Sequence, residues 1–425
     1  MRCETVPLSP GGAPPLVREL RGLVPAPESI ADNVAKIVAA VRRGGDAAVL
    51  EYTRRFDTGG GPPQPLRVSG PALQHAGETL ADDIRDGLQL AIAQVDTVAR
   101  AGLREERTVS FKAHRVVLRE APLERAAVYV PGGRAPYPST VVMGVVTAYA
   151  AGVREVAVCS PPGPDGEIDQ VVLAACRLTG AAPVYRMGGA QAVAALAFGT
   201  ESVGAVDVIV GPGNLWVQEA KRQVSGQVGI DGFAGPSDLL VIADPDAASE
   251  PIALDLLAQA EHGPGTLVLC ASSSEALLGE ISARLMPAQE TGAVCRLVKL
   301  AGPDDGLALA QAFAPEHLEL IGAQAEALAA SVTRAGCLFV GEAAATAFGD
   351  YVAGSNHILP TGGAARFASS LSTGHFRRGF SEVRIADGSE LARAAAPVAR
   401  AEGFEHHARS MEARIRQNDR DDANR

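Results

Sequence analysis

Aromatic residues make up only 4% of this 425-residue chain, with a single Trp, which leaves little for base stacking or for carbohydrate platforms. Basic charge is also in deficit. With 38 Lys and Arg against 49 Asp and Glu, the net charge is -11, a field that opposes both nucleic acid and anionic membrane surfaces. Neither is an expected partner. Long apolar runs are missing too: the longest, 141–153, is interrupted by two Gly, a Thr and a Tyr, and is too short to span a bilayer. The opening MRCETVPLSPGGAPP has no apolar stretch of the secretory kind, so a cytoplasmic location is expected. The six cysteines (Cys3, Cys159, Cys176, Cys270, Cys295, Cys337) include no CxxC spacing, and Cys159, Cys270 and Cys337 sit in apolar, strand-like runs. Buried free thiols are the expectation, ahead of disulfides or metal ligands.

What the chain does have is enough apolar material, 47% of residues with 20% charged, to fill two or three globular domains. Ile30, Val34, Ile37, Val38 and Val41 recur at helical spacing, with Ser29 as a cap and Gly44-Gly45 as a stop. A second helix begins at Asp46, DTGGGPPQP (57–65) forms a loop, and a long helical pattern runs from about Ala72 to Leu103. From Arg125 the rhythm changes to alternating strands and helices. AAVYV (126–130), EVAVCS (155–160), PVYRM (183–187) and VDVIVG (206–211) read as one set of parallel strands. LLVIAD (239–244), TLVLCA (266–271) and CLFVG (337–341) read as another. Two α/β domains follow, with a boundary near GFAGPSD (232–238). The last residues, from Gln417, are polar and read as frayed.

No GxGxxG fingerprint follows a strand and opens a helix. In its structural place stand MGGAQA (187–192) and VGPGN (210–214), whose backbone N–H groups can face a pyrophosphate at a helix start. A plain strand-to-helix turn with Asn214 as N-cap would read the same. More telling is a set of polar residues spread over about 150 positions: Gln259 and His262, Glu316 and His317, Asp350, His357 and His407. Histidine is scarce here, eight in all, yet several stand beside carboxylates or amides in short stretches bounded by Gly or Pro. Gln259 and His262 lie three apart near a helix end marked by Gly263-Pro264, which puts them on one face. Gln, His and Asp donors suit zinc, and a His beside a carboxylate suits acid-base work. Taken singly, each has a bland reading: a His favoured by a helix C-terminus, an Asp in a turn.

YVPGGRAPYPST (129–140), GGAQAVAALAFGTESV (188–203), DVIVGPGN (207–214), AGPSDLLVIAD (234–244), LLAQAEHG (256–263), APEHLEL (314–320) and GDYVAGSNHILPTGG (349–363) together resemble the histidinol dehydrogenase family, in its motif order and over nearly the whole chain. The resemblance implies two Rossmann-like parallel-sheet domains, an N-terminal helical segment and a C-terminal helical tail exchanged between subunits of a homodimer. The implied division is an N-terminal arm at 1–22, an α/β domain of 23–122 and 239–370 carrying the zinc and catalytic residues, an NAD-binding α/β domain at 123–238, and a tail at 371–425 that completes the other subunit's site. It places the zinc ligands on Gln259, His262, Asp350 and His407, with His406 as a close competitor in AEGFEHHARS (401–410). Glu316 and His317 become the catalytic pair. Ser237, His357 and Glu402 become substrate contacts, alongside His317 and the zinc ligands, and Tyr129, Gln191 and Asn214 become NAD contacts. Asp238 stands where the family usually has Glu, and His375 where an acidic residue is common.

The implied reaction is a zinc-dependent, NAD-linked oxidation of L-histidinol to L-histidine through L-histidinal, at the end of histidine biosynthesis. An alcohol must lose its proton as hydride leaves, so His317 is the candidate base. The aldehyde must be hydrated before a second hydride can leave, and Glu316 is the candidate to activate that water. Two rival readings are an enzyme of the same scaffold acting on another small alcohol, such as a sulfonated propanediol, and a non-catalytic homologue.

Overall fold

A computed structural model describes residues 1–9, 11–24, 30–132, 135–232 and 235–415. It divides into two compact units, one of Met1–Leu103 with Leu123–Phe376, the other of Arg104–Pro122 with Arg377–Arg425.

The first unit holds two parallel sheets. One has six strands in the order Cys3–Pro7, Val294–Lys299, Leu267–Ser272, Asp238–Ala243, His317–Ile321, Cys337–Val340. Its central strands are buried along their whole length, as expected where helices cover both faces and the sequence shows apolar runs instead of alternation. Ser249–Ala260 and Glu275–Leu285 cover one face through Ile252, Leu256 and Ile281. Ala13–Gly22 and Pro303–Phe313 cover the other through Leu20, Leu309 and Phe313.

The second sheet has five strands in the order Val184–Arg186, Glu155–Ser160, Arg125–Tyr129, Val208–Val210, Gly229–Ile230. Chain order therefore reverses beside Arg125–Tyr129, the arrangement of a Rossmann-like half. The expected α/β fold with two parallel sheets is met.

Several details depart from it. Residues 1–22 are no free arm: Cys3–Pro7 is an edge strand in register with Cys295–Lys299, and Ala13–Gly22 packs on the six-stranded sheet. The helices of 31–101 bury Val34, Ile37, Val41, Leu88 and Val95 against the five-stranded sheet, so they do not group with 239–370. The helix Ala31–Phe56 kinks at Gly45, where φ is 52°, which is where the Gly pair predicted a break; its expected cap, Ser29, lies outside the described residues. The pattern from Ala72 to Leu103 is two helices, Gly70–Thr79 and Asp82–Ala101.

Cysteine was misjudged at one pair. Cys3 and Cys295 form a disulfide between adjacent strands, because the polar CETVP segment pairs with a strand that its own pattern did not announce. Cys159, Cys176, Cys270 and Cys337 are free, the first three fully buried.

In the second unit an antiparallel sheet joins Arg377–Ile385, His114–Pro122 and Arg107–Ser110. Two helices follow, Ser389–Ala401 and Glu405–Glu412, packed through Ala396, Ala399 and Ala408. The region after 371 is thus not purely helical. Among the described residues no helix is long and apolar enough to cross a membrane.

Candidate active site

At the C-terminal ends of the five strands, beside the reversal of strand order, lies a cavity of about 940 Å³ lined in part by Asp57, Tyr129, Gln191, Asn214 and Trp216. All three expected NAD contacts line it. This is where open α/β sheets place ligands. Tyr129 ends its strand, and its hydroxyl accepts the Gly189 N–H at 3.0 Å, which fixes the entry to the helix Gly189–Phe198. Gln191 donates its amide to Asp57 at 3.4 Å; burial lifts the Asp57 carboxyl to about 6. Asn214 is the N-cap of Leu215–Val224, its side-chain oxygen accepting from the N–H groups of Trp216 and Val217. Its capping role and its place on the cavity wall coexist.

The turn that carries Asn214 is held from below. Asp231 accepts the Gly211 N–H at 2.7 Å and the Lys221 ammonium at 2.7 Å, and Lys221 is buried. Gly211 has φ of 112°, and a Cβ there would lie 2.2 Å from the Tyr129 carbonyl oxygen. Only glycine lets the two strand ends approach this closely.

A second cluster forms at the other kind of strand end, the N-terminal edge of the six-stranded sheet. Glu316 immediately precedes the strand His317–Ile321, and Asp238 opens its neighbour. The helix Ser249–Ala260 ends beside the same edge, burying Gln259 and leaving His262 exposed in the turn after it. Asp350 lies in a short helix, Thr346–Tyr351, where a loop was expected. His357 lies in the loop that follows, with Nδ1 3.0 Å from the Asp350 carbonyl oxygen and Nε2 3.2 Å from the Thr140 hydroxyl.

Glu316, His317, Asp350 and His357 lie within about 4 Å of one another in a chain of near contacts. His317 Nδ1 is 3.8 Å from Glu316 Oε2, and Nε2 is 3.9 Å from Asp350 Oδ1; both are near contacts too long for hydrogen bonds. Burial, then the charge of His262, pushes His317 down to about 3, and burial lowers His357 to about 4. Both rings are therefore neutral at ordinary pH. Burial and then the charge of Asp238 hold the Glu316 carboxyl well above the usual range, against a hydrogen bond from the Ser237 side chain. Asp350 is raised by burial to about 6. Two polar atoms in the cluster, Gln259 Nε2 and His317 Nδ1, are buried with no hydrogen-bond partner, a costly state that a bound ligand would relieve.

Ser237, Gln259, His262, Glu316, His317, Asp350 and His357 all belong to the first unit. Glu402 and His407 belong to the second, both exposed, Glu402 as a helix C-cap and His407 with its ring 5.1 Å from that of Phe404. His406 is equally exposed. Sequence reading missed Asp57 in the cavity and Arg21 beside Asp238. DTGGGPPQP reads as a plain turn, and Arg21 sits among ordinary charges of an N-terminal helix, so no local pattern marked either.

Comparison with known proteins decides the family. The family model described as histidinol dehydrogenase matches residues 25–415, and a curated histidinol dehydrogenase of Parasynechococcus marenigrum is 43% identical over 402 residues, 91% of this chain and 92% of that one. The chain belongs to the histidinol dehydrogenase family. A histidinol dehydrogenase of Pseudomonas aeruginosa is also 43% identical, with 91% of each chain covered. The crystal structure of histidinol dehydrogenase from Elizabethkingia anophelis superposes with a TM-score of 0.90 at 29% identity, over 97% of this chain and 98% of that one. As a histidinol dehydrogenase family member the chain is an NAD-dependent oxidoreductase.

Among the described residues no group of three or more His, Cys, Asp or Glu side chains is placed to hold a metal ion. The donors do fit zinc in kind. Gln259, His262 and Asp350 supply an amide, an imidazole and a carboxylate, and among the described residues the buried Gln259 Nε2 has no hydrogen-bond partner.

Proposed function

We propose that this chain oxidises L-histidinol to L-histidine in two successive NAD-linked hydride transfers, with zinc held by Gln259, His262, Asp350 and the partner subunit's His407. The observation that carries the reading is the convergence of Glu316 and His317, both buried, with Asp350 and His357 at one sheet edge.

His317, neutral through burial, has a free lone pair for the alcohol proton as hydride leaves the carbinol carbon. Glu316, in its carboxylate form and with the raised proton affinity that burial gives it, takes the proton of the water that adds to the aldehyde, so that the hydrate can release its second hydride. The depth of both groups keeps competing water away from a reactive aldehyde. His357, held on Thr140 and on the Asp350 backbone, meets the substrate, as do Ser237 and the partner subunit's Glu402. When bound, zinc supplies a Lewis acid that fixes the substrate's nitrogens in place. Tyr129, Gln191 and Asn214 line the cavity for NAD, which accepts the hydride. The active form is a homodimer.

Purified protein given L-histidinol and NAD tests this. Two NADH per histidinol are expected, with activity lost to a chelator and restored by zinc. A yield of one NADH, or none while another alcohol reacts, removes the reading.

A further inference from the structure

Glu316 stands at the end of a strained turn. Ala314 has φ of 48° and ψ of 65°, the one non-glycine residue with positive φ among those described. A side chain in that region is strained and persists only where its surroundings enforce it. The chain must therefore be held on both sides of Ala314, and a single guanidinium reaches Phe313 directly and Glu316 through Asp238.

Arg21, in the last turn of the helix Ala13–Gly22, donates Nη2 to the Phe313 carbonyl oxygen at 2.9 Å and lies 4.0 Å over the Phe313 ring. Its Nη1 donates to Asp238 Oδ2 at 2.6 Å. Asp238, fully buried, passes that hold to Glu316 in two bonds. Its Oδ1 accepts the Glu316 N–H at 2.7 Å, and its own N–H donates to Glu316 Oε2 at 3.0 Å. The Gly362 N–H completes Asp238 at 3.2 Å.

We infer that Arg21 is a positioning residue for Glu316, acting through Asp238 and the Phe313 carbonyl to set the carboxyl that serves the aldehyde step. His317 needs this less, because it begins a strand paired on both sides, with Leu239 and Cys337. Glu316 has strand support on one side, its carbonyl accepting the Cys337 N–H at 2.8 Å; on the other it depends on Asp238. Loss of the Arg21 guanidinium leaves the fully buried Asp238 carboxyl without its cation, so a shift of the turn is the expected response.

The inference rests on the role proposed for Glu316, and L-histidinal as sole substrate separates the two. Its oxidation by NAD reports the aldehyde step; its reduction by NADH reports the alcohol step in reverse. Arg21→Met should depress oxidation at least tenfold more than reduction, mainly in kcat, and Arg21→Lys should recover a good part, since an ammonium still reaches Asp238. Equal loss in both directions, no loss, or no recovery with Lys in a folded protein would overturn it. If Arg21→Met does not fold, Arg21→Gln, which keeps a donor, is read the same way. Glu316→Gln is the control. Where it slows oxidation selectively and the Arg21 variants do not, the inference alone fails; where Glu316→Gln spares oxidation, the role of Glu316 fails and the inference falls with it.

Discussion

Asp255 and Glu319 set two buried carboxyl groups against each other, one on the helix Ser249–Ala260 and the other on the strand His317–Ile321. Glu319 is two residues from His317 on the same strand face, and Asp255 is one helical turn before Gln259. The pair therefore lies directly behind the candidate site.

Burial first, and then Asp255, raises Glu319 from 4.5 to about 9. A carboxyl whose folded pKa is raised binds its proton more tightly folded than unfolded, so its contribution is complete below about 4.5 and is lost as pH climbs through 9. Glu319→Gln should therefore melt at nearly the wild-type temperature at pH 5 and several degrees above it at pH 9. Melting curves of the zinc-free protein across this range are the check; a variant no more stable at pH 9 than at pH 5, relative to wild type, would remove the raised proton affinity of Glu319.

Glycine 211 gives a prediction that needs no titration. A methyl group placed 2.2 Å from the Tyr129 carbonyl oxygen, on a backbone with φ of 112°, forces the strand ends apart. Gly211→Ala should cost about 2 to 4 kcal/mol and raise the KM for NAD, because the turn that carries Asn214 must move. Urea denaturation with NAD kinetics measures both. A stable variant with unchanged KM would mean that the turn has slack.

How much of this was legible in the sequence depended on burial symmetry. Strands such as Leu267–Ser272, covered on both faces, show continuous apolar runs and are plain. Arg377–Ile385, largely exposed, carries four charges in nine residues and exists through its antiparallel partner, so it has no local signature. Cys3–Pro7 is hidden for the same reason, and its disulfide with it. Motifs around Glu316 and His317 could be read because the chemistry fixes residue types close together in sequence. Arg21 and Asp57 could not, since their roles come from contacts 217 and 134 residues away, and a lone Arg or Asp advertises nothing.

For the proton acceptor, His317→Asn is informative because the ring is buried with an unpartnered Nδ1 and the amide keeps much of its volume. Turnover should fall by about 10² to 10⁴, the usual worth of general-base catalysis, with zinc content per subunit unchanged. Metal analysis beside the kinetics decides it: zinc lost together with activity would place His317 among the ligands.

His407 raises the remaining question, whether the site is built from one chain or two. His407 lies on a short helix of the second unit, exposed to solvent, while Gln259, His262 and Asp350, the other proposed donors, lie in the first. If the fourth donor comes from a second copy, His407→Ala and His317→Asn should each be inactive as homodimers, for one damages a donated group and the other a resident one. In a mixed dimer, one of the two sites draws its resident His317 and its donated His407 from undamaged copies. Random exchange of equal amounts gives half the dimers as hybrids, each with one intact site, so about a quarter of wild-type activity should return on mixing after reversible dissociation. Recovery near that value supports sharing. No recovery, with hybrid formation verified by differently tagged subunits, places both residues in the same site of one chain, and a parallel mixture with His406→Ala in place of His407→Ala distinguishes which of the adjacent histidines is donated.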